Sequence, residues 1–325
     1  MKALVVSQLL DDFAGVGLAD VASPEAGDGQ IFVRVKAAAW GFPVLLMTHG
    51  GYQHEPPLPF TPGMEGAGEV LAVGANVQDY AVGDRVVIGG IGTMAEQVCV
   101  SAATARKIPD NLDYASAAAV GSAYLTAYVA LQRRAALEAG EWLLVHGAAG
   151  GVGLAAVDLG KHMGAKIIAT ASSAEKLKII EDKFAPEACL LVQDGFRQQV
   201  KELTGGGADV IYDPVGGDVF DESVRCIGWG GRLLVIGFAA GRIPDISVNM
   251  PLIKGFSVVG VRAGEYGRRD PEKGAENQAA IWQLAAEGKI RPHVHDVLPL
   301  SAWRDAFAIM QERRVVGRVI LDPSA

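Results

Sequence analysis

The residues whose spacing most clearly suggests chemistry are small ones, and they point to a site for phosphate groups. Written against the pattern G-x-G-x-x-G, the three positions are Ala148, Gly150 and Gly153, with alanine replacing the first glycine. Gly150 has no Cβ, so a pyrophosphate could approach its backbone, and Gly153 lets a helix lie close to the preceding strand. The pattern indicates a dinucleotide-binding turn if a strand precedes it and a helix follows.

The flanking residues have the patterns that such a turn requires. Trp142–Val145 is an apolar run of the length expected for a strand buried on both faces. From Val152 to Met163, apolar residues recur at helical spacing. The backbone N–H groups of the first helical residues, Gly151 and Val152, would then face the phosphates at the positive end of the helix dipole.

The residues after the next strand favour a phosphorylated dinucleotide. NAD-binding units place an acidic residue about 20 positions beyond the glycine turn, where it binds the ribose hydroxyls. Here the predicted strand Lys166–Ala171 is followed by Ser172 and Ser173. Two hydroxyls can donate to a 2′-phosphate that a carboxylate would repel, and Lys176 can reach it as a point charge. Glu175 points in a different direction on the helix, and the alternative for Lys176 is an exposed lysine without this role.

Other candidate residues could position the reactants. Tyr52 has a hydroxyl that could bond to an acceptor's oxygen or deliver a proton, although it could also be a loop aromatic with no chemical role. Thr126 and the backbone at Gly237 and Phe238, which follow a predicted strand, are candidates to orient a nicotinamide ring. No nucleophile elbow suggests a Ser-His-Asp arrangement, which argues against hydrolysis.

Composition narrows the possible partners. The chain has 325 residues and a net charge of −8, so it has no basic surplus for binding nucleic acid. The N-terminus lacks the features of a signal peptide, and no apolar run is expected to approach the length of a membrane span. Cys99, Cys189 and Cys226 fit no metal-ligand spacing and are expected to be buried free thiols in a reducing cytoplasm.

The order of predicted elements indicates two domains. Residues 1–115 have the short alternating strands and turns of a mostly β region, whereas strand and helix patterns alternate from Trp142 to Val261. That alternation predicts an α/β fold with a doubly wound parallel sheet. Beyond it we expect a helix up to Glu287, a second helix capped by Ser301, and a last strand from Arg318. The predicted domains are 1–121 with 262–325, and 122–261.

Several segments together resemble a known family. The segments are Phe60–Gly68, Val82–Val86, Ala148–Gly153, Tyr212–Gly217 and Gly231–Gly237. They are similar to the zinc-free quinone oxidoreductases of the medium-chain dehydrogenase/reductase superfamily, over essentially the whole chain. The resemblance implies a GroES-like catalytic domain, a Rossmann domain, NADPH and a homodimer. The edge strand Ser257–Val261 could form the centre of that dimer.

The zinc ligands of the wider superfamily are missing. Its zinc alcohol dehydrogenases have a histidine ligand where Met64 stands and a cysteine ligand near Ala38–Gly41. Glu65 remains, but one carboxylate cannot hold a tetrahedral zinc. The resemblance therefore implies a protein without a metal.

The substrate pocket also departs from the family. Quinone oxidoreductases often have G-V-N-F-P-D where this chain has Ala39–Val44, so Gly41 replaces the asparagine. Trp40 could fill part of the vacated space or simply pack in the core. The resemblance implies hydride transfer from NADPH to a quinone or related activated carbonyl compound. Reduction of enone or enoyl C=C bonds, or a non-catalytic NADPH-binding role, remain as alternatives.

Overall fold

The structure is a computed structural model that describes residues 1–325. The strands are β1 (Lys2–Val6), β2 (Val16–Asp20), β3 (Gln30–Trp40), β4 (Glu65–Val73), β5 (Arg85–Gly89), β6 (Gln97–Ser101), β7 (Ala105–Lys107), β8 (Trp142–Val145), β9 (Lys166–Ala171), β10 (Ala188–Leu191), β11 (Ala208–Asp213), β12 (Ile227–Val235), β13 (Ser257–Gly260), β14 (Val294–Pro299) and β15 (Arg318–Asp322). The helices are α1 (Phe42–Met47), α2 (Tyr114–Tyr128), α3 (Gly151–His162), α4 (Ala174–Phe184), α5 (Arg197–Thr204), α6 (Gly217–Cys226), α7 (Asn249–Lys254), α8 (Ala263–Arg269), α9 (Pro271–Ala286) and α10 (Trp303–Gln311).

The chain forms two compact units. Unit 1 comprises Met1–Gly121 and His293–Ala325, and unit 2 comprises Ser122–Pro292. The predicted return to the first domain at residue 262 is wrong, because α8 and α9 belong to unit 2. Arg133 ties α9 into that unit through hydrogen bonds to Asn277 and Glu276.

Unit 1 is built on a seven-stranded sheet. Its order is β14-β15-β3-β4-β5-β7, with β6 also paired to β3, while β1 and β2 form a separate antiparallel pair. β3 alternates buried and more exposed residues before it becomes continuously buried from Ala37 to Trp40. The helix predicted to be capped by Ser301 instead begins at Trp303, because Leu300–Ala302 forms a 3₁₀ turn. Trp303 and Phe307 of α10 then pack into the core.

Unit 2 has the predicted parallel sheet. Its six strands have the order β10-β9-β8-β11-β12-β13, all parallel, with helices between them in sequence. β8 and β9 have the predicted bounds, and apart from the partly exposed Trp142 and the exposed Lys166 at their starts, their residues are buried inside the sheet. β13 is at the edge, as predicted, and three of its four residues are exposed.

A buried carboxylate joins the two ends of unit 2. Asp158 Oδ2 accepts hydrogen bonds from the Tyr124 hydroxyl and from the backbone N–H of Arg291, each at 2.6 Å. Tyr124 is near the start of unit 2 and Arg291 is near its end. Burial raises the pKa of Asp158, and these two donors oppose that rise. The network therefore places the beginning and the end of the segment beside α3.

The sequence expectation about apolar length needs correction. The helical stretch Tyr114–Ala135, in which a π-helix over Val129–Ala135 continues α2, is 22 residues long and apolar enough to cross a membrane by length and composition. Of its most apolar 18 residues, 56% are buried inside the fold. Core helices can have the same length and apolar composition as membrane-spanning helices. All three cysteines are free thiols; Cys226 is buried, whereas Cys99 and Cys189 are only partly so.

Candidate functional site

The nucleotide-binding candidates of unit 2 lie at one edge of its sheet. The adjacent parallel strands β9, β8, β11 and β12 end at Ala171, Val145, Asp213 and Val235. The carboxyl ends of parallel strands meet at the same edge, which is where open α/β sheets bind ligands. This edge brings together the glycine turn, the segment after β9 and the segment after β12. The predicted residues of unit 2 other than Thr126 thus share one place in the fold.

The glycine turn has a helix N-terminus that no side chain caps, and there is room beside it. Gly150 is the N-cap of α3, where no side chain caps the helix and the first turn has no acidic residue. A Cβ at Gly153 would collide with Gly147 O and with Ala148, so the helix lies as close as predicted. A Cβ at Gly150 would meet only Gly147 O, at 3.4 Å. The N–H groups of Gly151 and Val152 therefore fit a pyrophosphate.

Ala148 anchors the turn to the neighbouring strand. It is fully buried, and its N–H donates to Thr170 O at 2.9 Å. A glycine is not needed at this first position, because the φ angle of Ala148 is not positive and its methyl group is buried.

His146, which sequence reasoning missed, is a buried histidine directly before the glycine turn. His146 Nε2 lies 2.8 Å from Ser223 Oγ, which itself donates to Val219 O at 2.6 Å, so Nε2 carries the proton. Nδ1 then accepts from the Thr170 hydroxyl at 2.9 Å. Burial lowers the pKa of His146 to about 3, and the ring is neutral. A histidine at the end of an apolar strand was the available signal, because a buried polar ring needs partners.

The segment after β9 matches the prediction only in part. Ser173 is the N-cap of α4, and its hydroxyl accepts from the Lys176 N–H at 3.4 Å. The Glu175 backbone N–H and the Ser173 hydroxyl both lower the pKa of the Glu175 carboxyl. Ser173 is thus engaged with its own helix, and the donation of both serine hydroxyls to a phosphate stays a prediction. Ser172 is exposed and Lys176 is partly buried in the first turn.

The segment after β12 lies beside the turn that follows β11. Asp213 accepts from the backbone N–H groups of Val215 and Gly216 at 2.8 and 3.0 Å, and Ala239 N–H donates to Pro214 O. Gly237 and Phe238 are thereby held at the carboxyl end of the sheet, with 39% of Phe238 exposed.

Thr126, the remaining candidate of unit 2, lies on a helix. It lies on α2, and its hydroxyl donates to Ser122 O at 2.8 Å. Its oxygen could still accept a hydrogen bond.

The candidate residues of unit 1 are Trp40, Tyr52 and Gly41, and they have different surroundings. Trp40 is fully buried and its ring lies 4.2 Å from that of Phe307, which supports core packing rather than a role in the pocket. Tyr52 is half-buried and packs against the same core. Gly41 follows β3, and a Cβ there would collide with Nη1 of Arg318. Sequence reasoning did not find Arg318.

Arg318 forms an ion pair with Glu65. Arg318 Nη2 contacts Glu65 Oε1, and the two side chains are only 10% and 12% exposed. Glu65 was considered from sequence only as the remnant of a zinc site. No group of three or more His, Cys, Asp and Glu residues in the chain is placed to hold a metal ion.

Comparison with known proteins agrees with this geometry. Residues 27–110 match the family described as alcohol dehydrogenase GroES-like domain, and residues 151–279 match the family described as zinc-binding dehydrogenase. Quinone oxidoreductase-like protein 2 of Mus musculus is 38% identical over 305 residues, which cover 93% of this chain and 87% of the mouse protein. The chain belongs to the quinone oxidoreductase family of medium-chain dehydrogenases/reductases.

Solved structures of oxidoreductases have the same fold. A probable oxidoreductase from Mycobacterium abscessus matches with a TM-score of 0.89 and 37% identity, covering 99% of each chain. The Escherichia coli quinone oxidoreductase, solved in complex with NADPH, matches with a TM-score of 0.89 and 26% identity over 99% of this chain and 100% of its own. The predicted family and fold are confirmed, and this quinone oxidoreductase family member is an oxidoreductase.

Proposed function

We propose that this protein is an NADPH-dependent reductase of quinones. The observation that carries the proposal is the uncapped N-terminus of α3, which lies at the edge of the sheet where the segment after β9 begins. The complex of the Escherichia coli relative with NADPH supports the choice of cofactor. The names of relatives such as the mouse protein support a quinone as acceptor.

The residues divide the work as follows. The N–H groups at Gly151 and Val152 bind the pyrophosphate, and Ser172 and Lys176 bind the 2′-phosphate. When bound, the dinucleotide supplies a hydride, that is, a proton with two electrons. Tyr52 donates a hydrogen bond to the acceptor's oxygen and supplies the second proton that completes a hydroquinone.

The proposal is tested by following the loss of the reduced-nicotinamide absorbance with a panel of quinones and a panel of enones. Turnover of quinones with NADPH is the expected result. Turnover of enones alone would replace the acceptor with an activated C=C bond. Tight NADPH binding without turnover of either panel would favour the non-catalytic alternative.

We also propose that the protein is a homodimer whose centre is the exposed edge of unit 2. β13 has no neighbour on one side, and an unpaired edge strand invites pairing with a second copy. Near it, the side chains of Trp229, Val248 and Leu252 are 81%, 84% and 81% exposed. Apolar residues exposed to this extent over adjoining segments are typical of an interface between subunits. A cytoplasmic location is proposed with it.

A further inference from the structure

We propose that Asp213 is the residue that fixes where the nicotinamide ring of NADPH lies. It acts through other residues, as a positioning residue, because its carboxylate shapes the turn that supports Gly237 and Phe238, the candidates to orient the ring. The inference rests on the proposed function, since it concerns the cofactor of that reaction. It assigns a role to a buried carboxylate that the proposed reaction does not otherwise use.

A single oxygen of Asp213 organises the turn after β11. Oδ1 accepts hydrogen bonds from the backbone N–H groups of Val215 and Gly216, at 2.8 and 3.0 Å. An aspartate side chain that accepts from the N–H two residues further on closes an Asx turn. Gly216 then has a φ of 69°, in the left-handed region that favours glycine. The carboxylate thus determines the direction in which the chain leaves the sheet.

Burial keeps the carboxylate in this place. Asp213 is only 1% exposed. Burial raises the pKa of its carboxyl, and the two N–H donors oppose that rise. A buried N–H group that loses its acceptor keeps the cost of its own desolvation. The two hydrogen bonds therefore hold the turn in one arrangement as long as Oδ1 is present.

The segment after β12 is attached to this turn through its backbone. The Ala239 N–H donates to Pro214 O at 3.1 Å, and the Ala240 N–H donates to Val215 O at 2.9 Å. The acceptors of both bonds are the two residues that directly follow Asp213. A change in the turn is therefore transmitted to the segment that begins with Gly237.

Further contacts join the same two segments. A Cβ at Gly216 would lie only 3.0 Å from Phe238 Cδ1, so the turn supports this aromatic ring directly. The Gly217 N–H donates to Arg242 O at 3.1 Å, and Arg242 Nη2 donates to Asp218 Oδ1 at 2.9 Å. The segment is thus held at Phe238 and again at Arg242 by the start of α6.

The glycine turn has supports of its own. The turn after β11 does touch it, because a Cβ at Gly147 would lie 3.2 Å from Val215 Cγ2. However, the Ala148 N–H donates to Thr170 O at 2.9 Å, and the Gly150 N–H donates to Gly147 O at 2.9 Å. The phosphate-binding residues therefore keep their own hydrogen bonds when the turn after β11 changes.

This division of supports separates binding from reaction. Hydride transfer requires the ring and the acceptor in a narrow range of distances and orientations, and a small misplacement is costly. A dinucleotide whose phosphates are held and whose ring is poorly placed still binds, but it reacts slowly. Asp213 exchanges no proton or electron in this role. Its loss should lower kcat and leave the affinity for NADPH largely intact.

The test compares Asp213→Ala with Asp213→Asn and with a matched control, Asp209→Ala. Asparagine has an oxygen that can replace Oδ1 and accept both N–H bonds, but it has no charge. Asp209 lies at the opposite end of β11, where its carboxylate also accepts a backbone N–H, that of Trp142, at 2.8 Å. Asp209→Ala therefore controls for the loss of a stabilising hydrogen bond on the same strand.

Four quantities are measured for each variant. The Kd for NADPH reports binding of the whole dinucleotide. The change in emission of the reduced nicotinamide on binding reports the surroundings of the ring, and it needs no acceptor. The kcat with one quinone, and the isotope effect on kcat with NADPH that carries deuterium at the transferred position, report hydride transfer.

We expect Asp213→Ala to keep most of its affinity for NADPH and to lose most of the emission change. Its kcat should fall about 10- to 100-fold with a larger isotope effect, as for a misplaced reactant. Asp213→Asn and Asp209→Ala should behave like wild-type protein. Wild-type emission or kcat in Asp213→Ala overturns the proposal. A loss of affinity as large as the loss of kcat, or an Asp213→Asn variant that behaves like Asp213→Ala, overturns it as well.

A second variant covers the case in which Asp213→Ala does not fold. Gly216→Ala keeps Asp213 but places a methyl group 3.0 Å from Phe238 Cδ1 and 3.3 Å from Arg242 O. It should also change the emission and lower kcat while NADPH still binds, and wild-type values would contradict the proposal. If wild-type protein binds NADPH but reduces no quinone, the proposed function fails, while Kd and emission still decide the role of Asp213.

Discussion

His146 Nε2 donates a hydrogen bond to Ser223 Oγ at 2.8 Å inside unit 2. The direction of this bond follows from the serine, whose own hydroxyl hydrogen goes to Val219 O. The imidazole is completely buried and no carboxylate faces it to stabilise a charge, so burial lowers the pKa of His146 to about 3. The glycine turn thus begins beside a ring that stays neutral in the folded protein.

This neutral ring should make unit 2 less stable in mild acid. The unfolded chain binds a proton at His146 below pH about 6.5 and the folded chain does not, so stability falls as the pH decreases from there towards about 3. At pH 5 the loss is about 2 kcal/mol relative to pH 7. Urea unfolding of wild-type protein and His146→Gln at both pH values measures it as the difference between the two pH dependences. Identical pH dependences would contradict the burial argument.

The two glycines of the turn should respond differently to the same substitution. Gly153→Ala puts a methyl group into Gly147 O, so the protein itself should be destabilised and its Tm lowered. In Gly150→Ala the methyl group meets only one protein atom at 3.4 Å, so the Tm should hardly change. That methyl group would instead obstruct the phosphates and weaken NADPH binding. Tm and NADPH affinity measured for both variants check this, and equal effects on both quantities would argue against a pyrophosphate here.

Lys176→Ala should weaken NADPH binding and leave NADH binding nearly unchanged. Losing one charge-assisted contact of roughly 1.5–3 kcal/mol raises the NADPH dissociation constant about ten- to a hundredfold. Lys178→Ala, an exposed lysine of the same helix, is the matched control. Fluorescence titration with both cofactors measures the constants. An equal loss for both cofactors, or a wild-type preference for NADH, would show that Lys176 does not bind the 2′-phosphate.

The activity should not depend on a metal ion. Met64 stands where the zinc enzymes have a histidine ligand, Ala38–Gly41 contains no cysteine, and no cluster of metal-ligating residues is placed to compensate. Elemental analysis of purified protein should find no stoichiometric metal, and dialysis against a chelator should leave kcat unchanged. One zinc per chain that is lost together with activity would refute this.

Substitutions at the exposed edge of unit 2 should separate the dimer. Leu252→Asp and Trp229→Glu put charges on two highly exposed apolar positions near β13, where burial of a charge between subunits is costly. Light scattering should report a dimer for wild-type protein and a monomer for these variants. Ile179→Asp, on α4, is the control and should remain dimeric. A wild-type monomer at micromolar concentration would exclude this assembly.

Sequence patterns alone predicted the bounds of strands that are buried inside a sheet. β8 and β9 could be predicted to the residue, because β8 is a continuous apolar run and all residues of β9 after Lys166 are buried, with turn residues following both strands. The pattern failed at Ser301, where a 3₁₀ turn delays the helix. It also failed at residue 262, since packing of α9 through Arg133 assigns that segment to unit 2.

The polar groups of the site were harder to predict because their partners are far away in sequence. Arg318 and Glu65 are 253 positions apart, and neither segment alone indicates an ion pair. The sequence shows that Gly41 stands in place of asparagine. It does not show the reason, which is that the Arg318 guanidinium leaves no space for a side chain at this position. The spacing of Ser173 suggested a phosphate contact but gave no sign that this residue also caps α4.

The Asp158 network also bears on how such a chain could have been assembled. Its carboxylate holds Tyr124 and the backbone of Arg291, so residues 122–292 begin and end at a single location. A segment whose two ends are adjacent can be inserted or exchanged at a single site of another domain, because the path of the surrounding chain does not have to change. Unit 2 therefore has the geometry of an inserted domain, and Asp158 is the residue that holds its two ends together.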